Sequence, residues 1–586
     1  MAAARPGPDA ADDPASRFDL IVVGAGINGA AVAREAALHG LRVLVLEQGD
    51  IASGTSSASS RLVHGGLRYL EHGELGLVRE SLAERERLLK LAPHLVEPLA
   101  LLIPVYSSNR RPLWQIRIGL TLYDWLSFDK ALPDHRALDA KALLEAVPGL
   151  RAEGLRGGVR YFDARCAFPE RLVLENLLDA AQHGTVVRTY TAATAIEAAA
   201  DGTVAGVRWR ARDGRTGVAR APLVVNAAGP WVDGVLGGAG GARLIGGTKG
   251  SHLIVEPFPG APADGLYVEA GADGRPFFIL PWNGLYLIGT TDRRYDGDPG
   301  DARIDAGELE YLCAETERVF PGAAPLRERL CYTHSGVRPL PYTPRGAEGA
   351  ITRRHLIRPH ERLRGLYSIV GGKLTTHRAV AEDVLRVLFR SGRVAAGQPL
   401  PLDSPPVGAA VQPRSSLPVG AAVQPRSSPR SPPRARRAGT PTRVRPFPGA
   451  LDAADRDSLL TELGIAFGAD EAARLWRTYG AAAGAIGALA RDPAFRPRAE
   501  RAGALLAAEL VHALDAEWAV TLTDILQRRT MLGLRADFGL GIAPLAAEWL
   551  VRLGYWDRAR AEQELAAYRA YAAEHGALRA PAAETV

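Results

Sequence analysis

The stretch from Phe18 to Glu47 constrains the fold of this chain more than any other part of the sequence. A short apolar run of strand character leads into Gly24, Gly26 and Gly29, which complete a G-x-G-x-x-G turn before a helical pattern. In such a turn the first glycine allows the bend, the second lets the backbone approach a pyrophosphate, and the third lets the helix pack closely on the sheet. The helix amino terminus offers N–H groups to the phosphates, and Glu47 stands where an acid bonds a ribose hydroxyl. The stretch therefore predicts a dinucleotide site in an α/β domain.

Length and cysteine content favour a multidomain globular protein in a reducing compartment. The chain has 586 residues, whereas one domain takes roughly 100–200. Its three cysteines form no C-x-x-C pair, which argues against a disulfide framework or a thiolate metal site, so no metal is expected. The sequence contains no uninterrupted apolar run of about 18 residues, so no transmembrane helix is predicted. Residues 1–16 lack a hydrophobic core and carry three Asp, which predicts a disordered tail rather than a targeting signal.

The positive charge of the chain has one local source. Residues 404–440 contain six Arg and no acid, which equals the whole formal net charge of +6. The remainder is therefore near neutral, and the charge does not predict nucleic-acid binding. The sequence PVGAAVQPRSS occurs in this segment at 406–416 and again at 418–428. Because this composition cannot bury enough apolar surface to fold, we predict a disordered linker, formed by repeat slippage without function or serving contact with anionic lipid.

A long motif after the first two strands resembles a known enzyme family. Residues 55–95, TSSASSRLVHGGLRYLEHGELGLVRESLAERERLLKLAPHL, are similar to the corresponding motif of FAD-dependent glycerol-3-phosphate dehydrogenases. The similarity continues through most of the chain and fails in residues 1–16 and 404–440. It implies an α/β fold with a Rossmann-like FAD-binding domain of the glutathione-reductase type, a β-rich substrate domain and a C-terminal helical domain.

The predicted domains are discontinuous. We assign residues 17–100, 150–235 and 330–395 to the FAD-binding domain, and residues 101–149 and 236–329 to the substrate-binding domain. Residues 404–440 form the predicted linker. Residues 445–578 form the C-terminal helical domain, with helices predicted at 455–463, 471–479, 498–515, 519–528, 544–554 and 558–574. An amphipathic pattern also predicts a helix over Leu75–Leu91.

The residues expected to bind FAD come from several separate turns. The G-x-G-x-x-G turn, the small hydroxyl residues of 53–60 and the Gly65-Gly66 pair form the first group, and strand-to-glycine turns at Gly229 and Gly371-Gly372 form the second. The predicted set is Gly24, Gly26, Asn28, Gly29, Glu47, Thr55, Ser56, Ser57, Ser60, Gly65, Gly66, Gly229, Gly371, Gly372 and Leu374. His64 is a covalent flavin anchor or a hydrogen-bonding residue of a tight loop. Trp231 packs on the cofactor or belongs to the core.

Oxidation of a phosphorylated secondary alcohol requires a base, a cation for the developing oxyanion and an anion cradle. His252, in a KGSH motif, is the predicted general base because its ordinary pKa lies near working pH. Arg338 and Lys373 are expected to stabilise charge at the reacting carbon atoms. The remaining predicted substrate ligands are Arg68, Tyr69, Arg353 and Thr376, among which the Arg forks match phosphate oxygens. These roles are implied by the resemblance, and their division is a hypothesis.

The resemblance implies oxidation of sn-glycerol 3-phosphate to dihydroxyacetone phosphate by hydride transfer from C2 to flavin N5, with electrons passing to a quinone. It also implies a cytoplasmic protein, peripheral on the inner face of the cell membrane, and a homodimer. The nearest alternative is a glycerol-3-phosphate oxidase that uses O₂ and releases hydrogen peroxide. An amino-acid or amine oxidase of the same fold, and a flavin-binding module with a structural or RNA-modifying role, are further alternatives.

One segment raises the question of how the chain contacts a membrane. Residues 101–128 combine three Arg with Trp114 and Trp125 in an amphipathic pattern, which is typical of helices that lie on a membrane surface. An ordinary helix buried on one side is the other interpretation.

Overall fold

The computed structural model describes residues 17–127, 129–237, 241–344, 351–394, 441–492, 501–502 and 505–576. The predicted N-terminal tail and the predicted linker lie outside these residues, as do both copies of the repeat.

Strands and helices are numbered here in chain order. The strands are Leu20–Val23 (β1), Val43–Leu46 (β2), Leu62–Val63 (β3), Val96–Tyr106 (β4), Arg136–Leu138 (β5), Leu155–Cys166 (β6), Val186–Arg188 (β7), Thr191–Ala198 (β8), Val204–Ala211 (β9), Thr216–Arg220 (β10), Val224–Asn226 (β11), Thr248–Val255 (β12), Gly265–Glu269 (β13), Pro276–Trp282 (β14), Leu285–Gly289 (β15), Arg293–Arg294 (β16), Leu330–Arg338 (β17), Leu356–Pro359 (β18), Leu366–Val370 (β19), Arg501–Ala502 (β20) and Leu505–Leu506 (β21). The α-helices are Ile27–Leu38 (α1), Leu75–Leu91 (α2), Leu113–Leu126 (α3), Ala140–Ala146 (α4), Pro169–Gln182 (α5), Val232–Leu236 (α6), Ala306–Val319 (α7), His377–Arg390 (α8), Ala453–Phe467 (α9), Ala469–Tyr479 (α10), Ala482–Arg491 (α11), Ala507–Asp515 (α12), Ala543–Arg552 (α13) and Arg558–Glu574 (α14). Short 3₁₀ turns include Leu67–His72, Gly229–Trp231 and Leu374–Thr376, and Asp524–Arg529 is a π-helix.

A six-stranded sheet in the order β18-β19-β11-β1-β2-β7 forms the Rossmann-like part. All its neighbouring pairs are parallel except β18 with β19. The residues of β1, β2, β11 and β19 are all buried, as expected for parallel strands covered on both faces. Helix α1 packs against α5 and α8, and a buried ion pair of 2.7 Å joins Arg34 of α1 to Asp179 of α5. The strand, glycine turn and helix predicted from Phe18 onward are present.

A ten-stranded mixed sheet forms the second layer. Its main path is β16-β12-β15-β14-β13-β4-β6-β3, with β17 added to β12 and β5 added to β6. Apolar side chains of this sheet pack into two buried clusters, one shared with α3 and the C-terminal helices and one shared with α4 and α7. A separate three-stranded meander consists of β8, β9 and β10.

The sheets divide the chain differently from the predicted domain boundaries. β4 and β6 lie in the ten-stranded sheet, although the prediction assigns residues 96–100 and 155–166 to the FAD-binding domain. β17 pairs with β12 along nearly its whole length, although the prediction places residues from 330 onward in that same domain. The composition of a strand does not specify its distant partner, so these boundaries could not be placed from local patterns.

The C-terminal unit is helical, as predicted. Helix α2 has the predicted bounds, Leu75–Leu91, and five of the six predicted C-terminal helices overlap α9, α10, α12, α13 and α14. The sixth, predicted at 519–528, overlaps the π-helix 524–529 instead. Helix α11 was not predicted because its sequence, AAGAIGALAR, has few large apolar residues to mark a face.

Candidate active site

A cavity of about 330 Å³ lies where the glycine turn after β1 meets the ten-stranded sheet. From the first sheet it is lined by the turns after β1, β2, β11 and β19. From the second sheet and nearby segments it is lined by Gly250, His252, Arg338 and Arg353. The turns follow the carboxyl ends of parallel strands, which is where ligands bind in open α/β sheets. The fold therefore brings residues from distant parts of the sequence around one space.

The turn after β1 has the close backbone packing that the glycine pattern predicted. Gly24 has a φ of +103°, and a Cβ on Gly29 would lie 2.0 Å from the Gly24 carbonyl oxygen. Gly29 accordingly packs helix against strand and does not line the cavity, whereas Gly24 and Gly26 do. Any side chain at position 29 would push α1 away from the strand that carries the turn.

Glu47 and Ser56 organise the amino end of α1. The Glu47 carboxylate accepts hydrogen bonds from the N–H groups of Ala25 at 2.7 Å and Gly49 at 2.8 Å. Burial raises the pKa of Glu47, and these two backbone donors lower it, with a raised pKa as the net result. Ser56 Oγ accepts the N–H of Ile27 at 3.0 Å. Both side chains line the cavity and hold the turn in shape.

The predicted cofactor residues are mostly, but not all, on the cavity wall. The lining includes Gly24, Gly26, Asn28, Glu47, Thr55, Ser56, Ser60, Gly229, Gly371, Gly372 and Leu374. Ser57 is turned away, since its hydroxyl donates to the Ala52 carbonyl at 2.6 Å. Gly65 lies behind the wall, where a Cβ would meet the Tyr123 hydroxyl at 2.4 Å. Gly66 has a φ of +79° and is not on the wall.

The structure shows where Trp231, His64 and Thr376 lie relative to the cavity. Trp231 lines the cavity and donates to Asp298 at 3.3 Å, and it belongs to none of the hydrophobic clusters among the described residues. His64 also lines the cavity, and its backbone N–H donates to Thr375 Oγ1 at 3.1 Å. The predicted ligand Thr376 is buried just before α8 and is not on the cavity wall, whereas its neighbour Thr375 is. Substrate contact at Thr376 stays a prediction.

His252 is buried between cationic groups. Its Nε2 lies 2.8 Å from the Ser60 hydroxyl. Burial, with added repulsion from Arg338 and Arg61, lowers the pKa of His252 to about 3. The imidazole is therefore neutral at working pH and is free to accept a proton, but it does not retain one.

Lys373 lines the same cavity with its Nζ atom buried and 4.5 Å from the centroid of the Tyr69 ring. Within the described residues this Nζ has no hydrogen-bond partner. Burial lowers the pKa of Lys373 to about 7, although the carboxylates of Glu80, Asp163 and Glu74 oppose the shift. A cation without a fixed partner in a cofactor-sized cavity is available to a ligand.

Asp292 joins three arginines at the edge of the cavity. Its carboxylate lies 2.7 Å from Arg275, 3.1 Å from Arg338 and 3.2 Å from Arg353. These guanidinium groups hold the pKa of Asp292 below its usual range, even though burial alone would raise it. Neither Asp292 nor Arg275 was among the predicted site residues. Asp292 ends the sequence GTTD, residues 289–292, and this turn was the available sequence signal for it. No sequence signal marked Arg275.

Arg68 lies close enough to Arg353 for the two charges to interact. Burial lowers the pKa of Arg68, and repulsion from Arg353 lowers it further. Arg68 is not on the cavity wall itself, whereas Tyr69 and Arg353 are. The predicted phosphate ligands therefore lie together, with Tyr69 and Arg353 on the cavity wall and Arg68 next to it.

Glu170 has a structural partner rather than a place on the cavity wall. Its two oxygens accept from Arg61 at 2.9 and 3.0 Å, and both side chains are buried. The Arg61 guanidinium also stacks 4.4 Å from the Trp282 ring centroid.

Two family models match consecutive parts of the chain. The model described as FAD dependent oxidoreductase matches residues 19–385, and the model described as C-terminal domain of alpha-glycerophosphate oxidase matches residues 440–561. A glycerol-3-phosphate dehydrogenase of Synechocystis sp. is 40% identical over 571 residues, which cover 94% of this chain and 96% of that protein. The chain belongs to the FAD-dependent glycerol-3-phosphate dehydrogenase family. The predicted family, fold class, oxidoreductase character and FAD cofactor are thereby confirmed.

Further relatives and one solved structure are also similar to the chain. The aerobic glycerol-3-phosphate dehydrogenase of Escherichia coli is 40% identical over 389 residues, which cover 63% of this chain and 73% of that protein. A D-erythritol 1-phosphate dehydrogenase of Brucella abortus is 42% identical over 371 residues, covering 62% and 72%. The structure of a Bacillus halodurans glycerol-3-phosphate dehydrogenase complexed with FAD matches with a TM-score of 0.74 at 24% identity, over 99% of this chain and 100% of that one, and so shares the fold.

The cavity wall of this family member fits FAD. A Cβ added to Gly26 would meet only Ser56 Oγ, at 3.3 Å, and Gly229 opens onto free space with a φ of +58°. The Oδ1 atom of Asn28 is buried without a hydrogen-bond partner among the described residues, so a bound dinucleotide has an acceptor to satisfy. The glycine turns would hold the pyrophosphate, and the Gly371–Leu374 segment would contact the flavin.

Proposed function

We propose that this enzyme oxidises sn-glycerol 3-phosphate to dihydroxyacetone phosphate with FAD and passes the electrons to a quinone. The observation that carries the substrate assignment is the cluster of Arg68, Arg338, Arg353 and Lys373 at the FAD cavity, with Asp292 as its buried acid. The positive groups outnumber this carboxylate, so the cluster attracts a phosphate dianion. Arg forks add geometric selectivity for its oxygens.

Some residues of this cluster would bind the phosphate, and the others would act at the reacting carbon. Arg338 is held by Asp292 and by Thr290 Oγ1, at 3.1 and 2.9 Å, so its guanidinium is fixed before substrate arrives. A preorganised cation of this kind stabilises charge that develops in a transition state. Arg68 and Arg353 would hold the phosphate, which leaves Lys373 and Arg338 for the oxygen on C2.

His252 is the group that would take the hydroxyl proton. FAD, when bound, supplies the hydride acceptor, and the chain must remove the proton that alcohol oxidation also releases. The Ser60 hydroxyl, 2.8 Å from His252 Nε2, lies on the cavity wall and connects that nitrogen to the substrate space. The neutral state of His252 leaves one ring nitrogen able to accept.

Anaerobic flavin reduction tests the substrate assignment. Purified holoenzyme mixed with sn-glycerol 3-phosphate should lose its flavin absorbance, whereas glycerol should have little effect because it lacks the phosphate. D-erythritol 1-phosphate serves as the longer comparison substrate. Bleaching by an amino acid, or by none of these compounds, would overturn the proposal.

Removal of one phosphate ligand gives a sharper test. In Arg68→Ala the loss of a charge-assisted hydrogen bond, about 1.5–3 kcal/mol, should raise KM about tenfold to a hundredfold and leave kcat within a few-fold. Arg327→Ala changes an exposed arginine and is the matched control. A fall in kcat at constant KM would place Arg68 at the reacting carbon instead.

The electron acceptor has a second candidate. The C-terminal family model is described by an alpha-glycerophosphate oxidase, which favours O₂ as the alternative acceptor. Turnover in air with and without a soluble quinone separates the two. Quinone reduction without stoichiometric hydrogen peroxide supports the dehydrogenase, and stoichiometric hydrogen peroxide contradicts it.

The same proposal places the enzyme on the inner face of the cell membrane through α3. Trp114, Ile118 and Trp125 are 65, 62 and 71% exposed and recur at helical spacing, with Arg117 exposed beside them. No described helix is long and apolar enough to cross a membrane. Exposed Trp next to Arg suits the headgroup region of an anionic bilayer.

Vesicle binding tests this orientation. Replacing Trp114, Ile118 and Trp125 by Ala should weaken sedimentation with anionic vesicles at least about tenfold, since each lost contact removes buried apolar area. Ile465→Ala, at a position 85% exposed on α9, is the control. Equal binding of both variants would remove α3 from the proposal.

The predicted homodimer stays a prediction that equilibrium sedimentation would check.

A further inference from the structure

A second chamber of about 160 Å³ adjoins the FAD cavity behind β17. It is lined by residues that include Arg61, Glu170, His334, Phe538, Tyr571 and His575. Because the exposed residue Gly300 is part of its wall, the chamber reaches the protein surface. A space of this size holds several water molecules at about 30 Å³ each. The FAD cavity and the second chamber share a wall made partly of Thr55, Ala58 and Gly336.

Two neighbouring histidines lie in this shared wall. His252 lines the FAD cavity and His334 lines the second chamber. They are cross-strand partners in the pairing of β12 with β17, and their ring centroids are 4.9 Å apart. The pair therefore spans the barrier between the two spaces.

The His252–His334 pair has a hydrogen bond on its FAD side and two ring nitrogens without partners beyond it. His252 Nε2 is bonded to Ser60 on the FAD side, whereas His252 Nδ1 and His334 Nε2 are buried without hydrogen-bond partners among the described residues. Buried polar atoms of native proteins are nearly always satisfied. The two rings are adjacent, with centroids 4.9 Å apart, so these two nitrogens are the atoms through which a proton would pass from one ring to the other.

We propose that His334 takes over the proton accepted at His252 and delivers it to water in the second chamber. The inference rests on the proposed alcohol oxidation. There the C2–H bond breaks with its electron pair leaving to FAD, and the electron pair of the O–H bond forms the carbonyl. The released proton moves through the Ser60 hydroxyl to His252 Nε2, and the Nδ1 proton of His252 moves to His334 Nε2. His334 then loses its Nδ1 proton, which is otherwise hydrogen-bonded to the Ser59 backbone, to chamber water.

The need for such an exit follows from burial. His252 is 1% exposed, and bound FAD and substrate would occupy the cavity that it lines. Burial, with added repulsion from Arg338 and Arg61, disfavours the protonated form of His252, which favours onward transfer through the other ring nitrogen. Burial and the neighbouring His252 and Arg61 likewise hold the pKa of His334 well below its usual value, which favours release into the chamber.

Simultaneous observation of the flavin and the proton tests the proposal. Wild-type holoenzyme is mixed anaerobically with sn-glycerol 3-phosphate in weak buffer containing a pH-indicator dye, and both absorbances are followed in one stopped-flow experiment. We expect proton release to accompany flavin reduction. In His334→Asn it should lag about tenfold or more, as for other losses of positioned proton transfer, and millimolar imidazole should restore it.

The controls separate a proton route from a folding defect. His360→Asn alters a histidine that bonds Ser368 on β19 and should release protons as the wild type does. FAD content and thermal unfolding establish that each variant is folded, and His334→Gln replaces His334→Asn if the latter is not.

The outcomes also separate this proposal from the proposed function. Unchanged proton timing in a folded His334 variant, or a lag that imidazole does not relieve, overturns the relay while the oxidation stands. Absence of flavin reduction in the wild type overturns the oxidation itself.

Discussion

Lys373 is the cation of the site whose charge depends most on its surroundings. It has the low pKa of a buried lysine, about 7, whereas the neighbouring arginines stay charged at any working pH. Near neutrality the ammonium and the free amine are thus both populated in the free enzyme. A bound phosphate dianion would favour the ammonium.

This environment predicts a pH dependence for Lys373. If the ammonium is the active form, kcat/KM should fall as pH rises through about 7, because the cation is present below the pKa and lost above it. Lys373→Arg keeps the charge and should move this fall to higher pH. The measurement is kcat/KM across the neutral and alkaline range, with Lys90→Arg as the exposed control. A rise through the same range would instead make Lys373 the proton acceptor in place of His252.

At the scale of elements, the loop after β2 is tied to the C-terminal unit by a buried ion cluster. Asp50 accepts from Arg528 at 2.6 Å and from Arg529 at 2.7 and 2.9 Å, and all three residues are buried. The arginines are consecutive residues of the π-helix 524–529, a rare element that is frequent at functional positions. This contact lies a few residues from Glu47, so the C-terminal unit supports the loop that shapes the dinucleotide end of the cavity.

Asp50→Asn should destabilise the enzyme strongly. Arg528 keeps its pair with Asp524, but the buried Arg529 loses the carboxylate that it pairs with, which costs about 3–5 kcal/mol. Asp457→Asn breaks an exposed pair worth about 0–1 kcal/mol. Denaturant unfolding of both holoenzymes measures the difference in free energy of unfolding.

The pH dependence of stability gives a second check on the same cluster. The arginines hold the pKa of Asp50 below its usual value. Its contribution to stability is therefore complete above the unfolded-state pKa, about 3.9, and is lost as pH falls through the folded-state pKa. Equal acid sensitivity of the wild type and Asp50→Asn would show that this cluster does not stabilise the fold.

At the scale of the whole molecule, the active site is assembled from two sheets and supported by the C-terminal unit. Besides the Asp50 cluster, a buried pair of 2.7 Å joins Arg171 of α5 to Glu517. The Thr333 N–H on β17 donates to the His575 carbonyl at 2.8 Å. These contacts join the C-terminal unit to α5 and β17. The two family models end at residue 385 and begin at residue 440, so the tandem repeat falls between them.

Deletion of residues 418–429, one 12-residue period of the repeat, should therefore leave kcat, KM and the Tm of the holoenzyme unchanged. Binding to anionic vesicles distinguishes the two interpretations of the repeat. Unchanged binding favours slippage without function, and weaker binding favours a lipid contact for its arginines. A change in KM would mean that the segment reaches the active site.

Local patterns in the sequence predicted the elements better than their partners. The glycine turn, helix α2 and most C-terminal helices follow from spacing and composition that neighbouring residues supply. The placement of β4, β6 and β17 in the second sheet does not, because a strand finds its partner through contacts that are distant in sequence. Within the site, residues in a motif were predicted, including His252, Lys373 and Arg353, while Asp292 and Arg275 were recognised only once their side chains were seen to meet.

The sequence by itself determined that a dinucleotide is bound, since G-x-G-x-x-G with Glu47 leaves little other use for that turn, and its longer motifs determined the enzyme family. Only the tertiary structure decided the electrostatic state of the site. Burial turns His252 into a neutral acceptor and Lys373 into a cation near its titration point, and strand pairing sets His334 behind His252. The pKa of a group, and whether it finds a hydrogen-bond partner, depend on the atoms that surround it. Those atoms come from parts of the chain that no local sequence pattern connects.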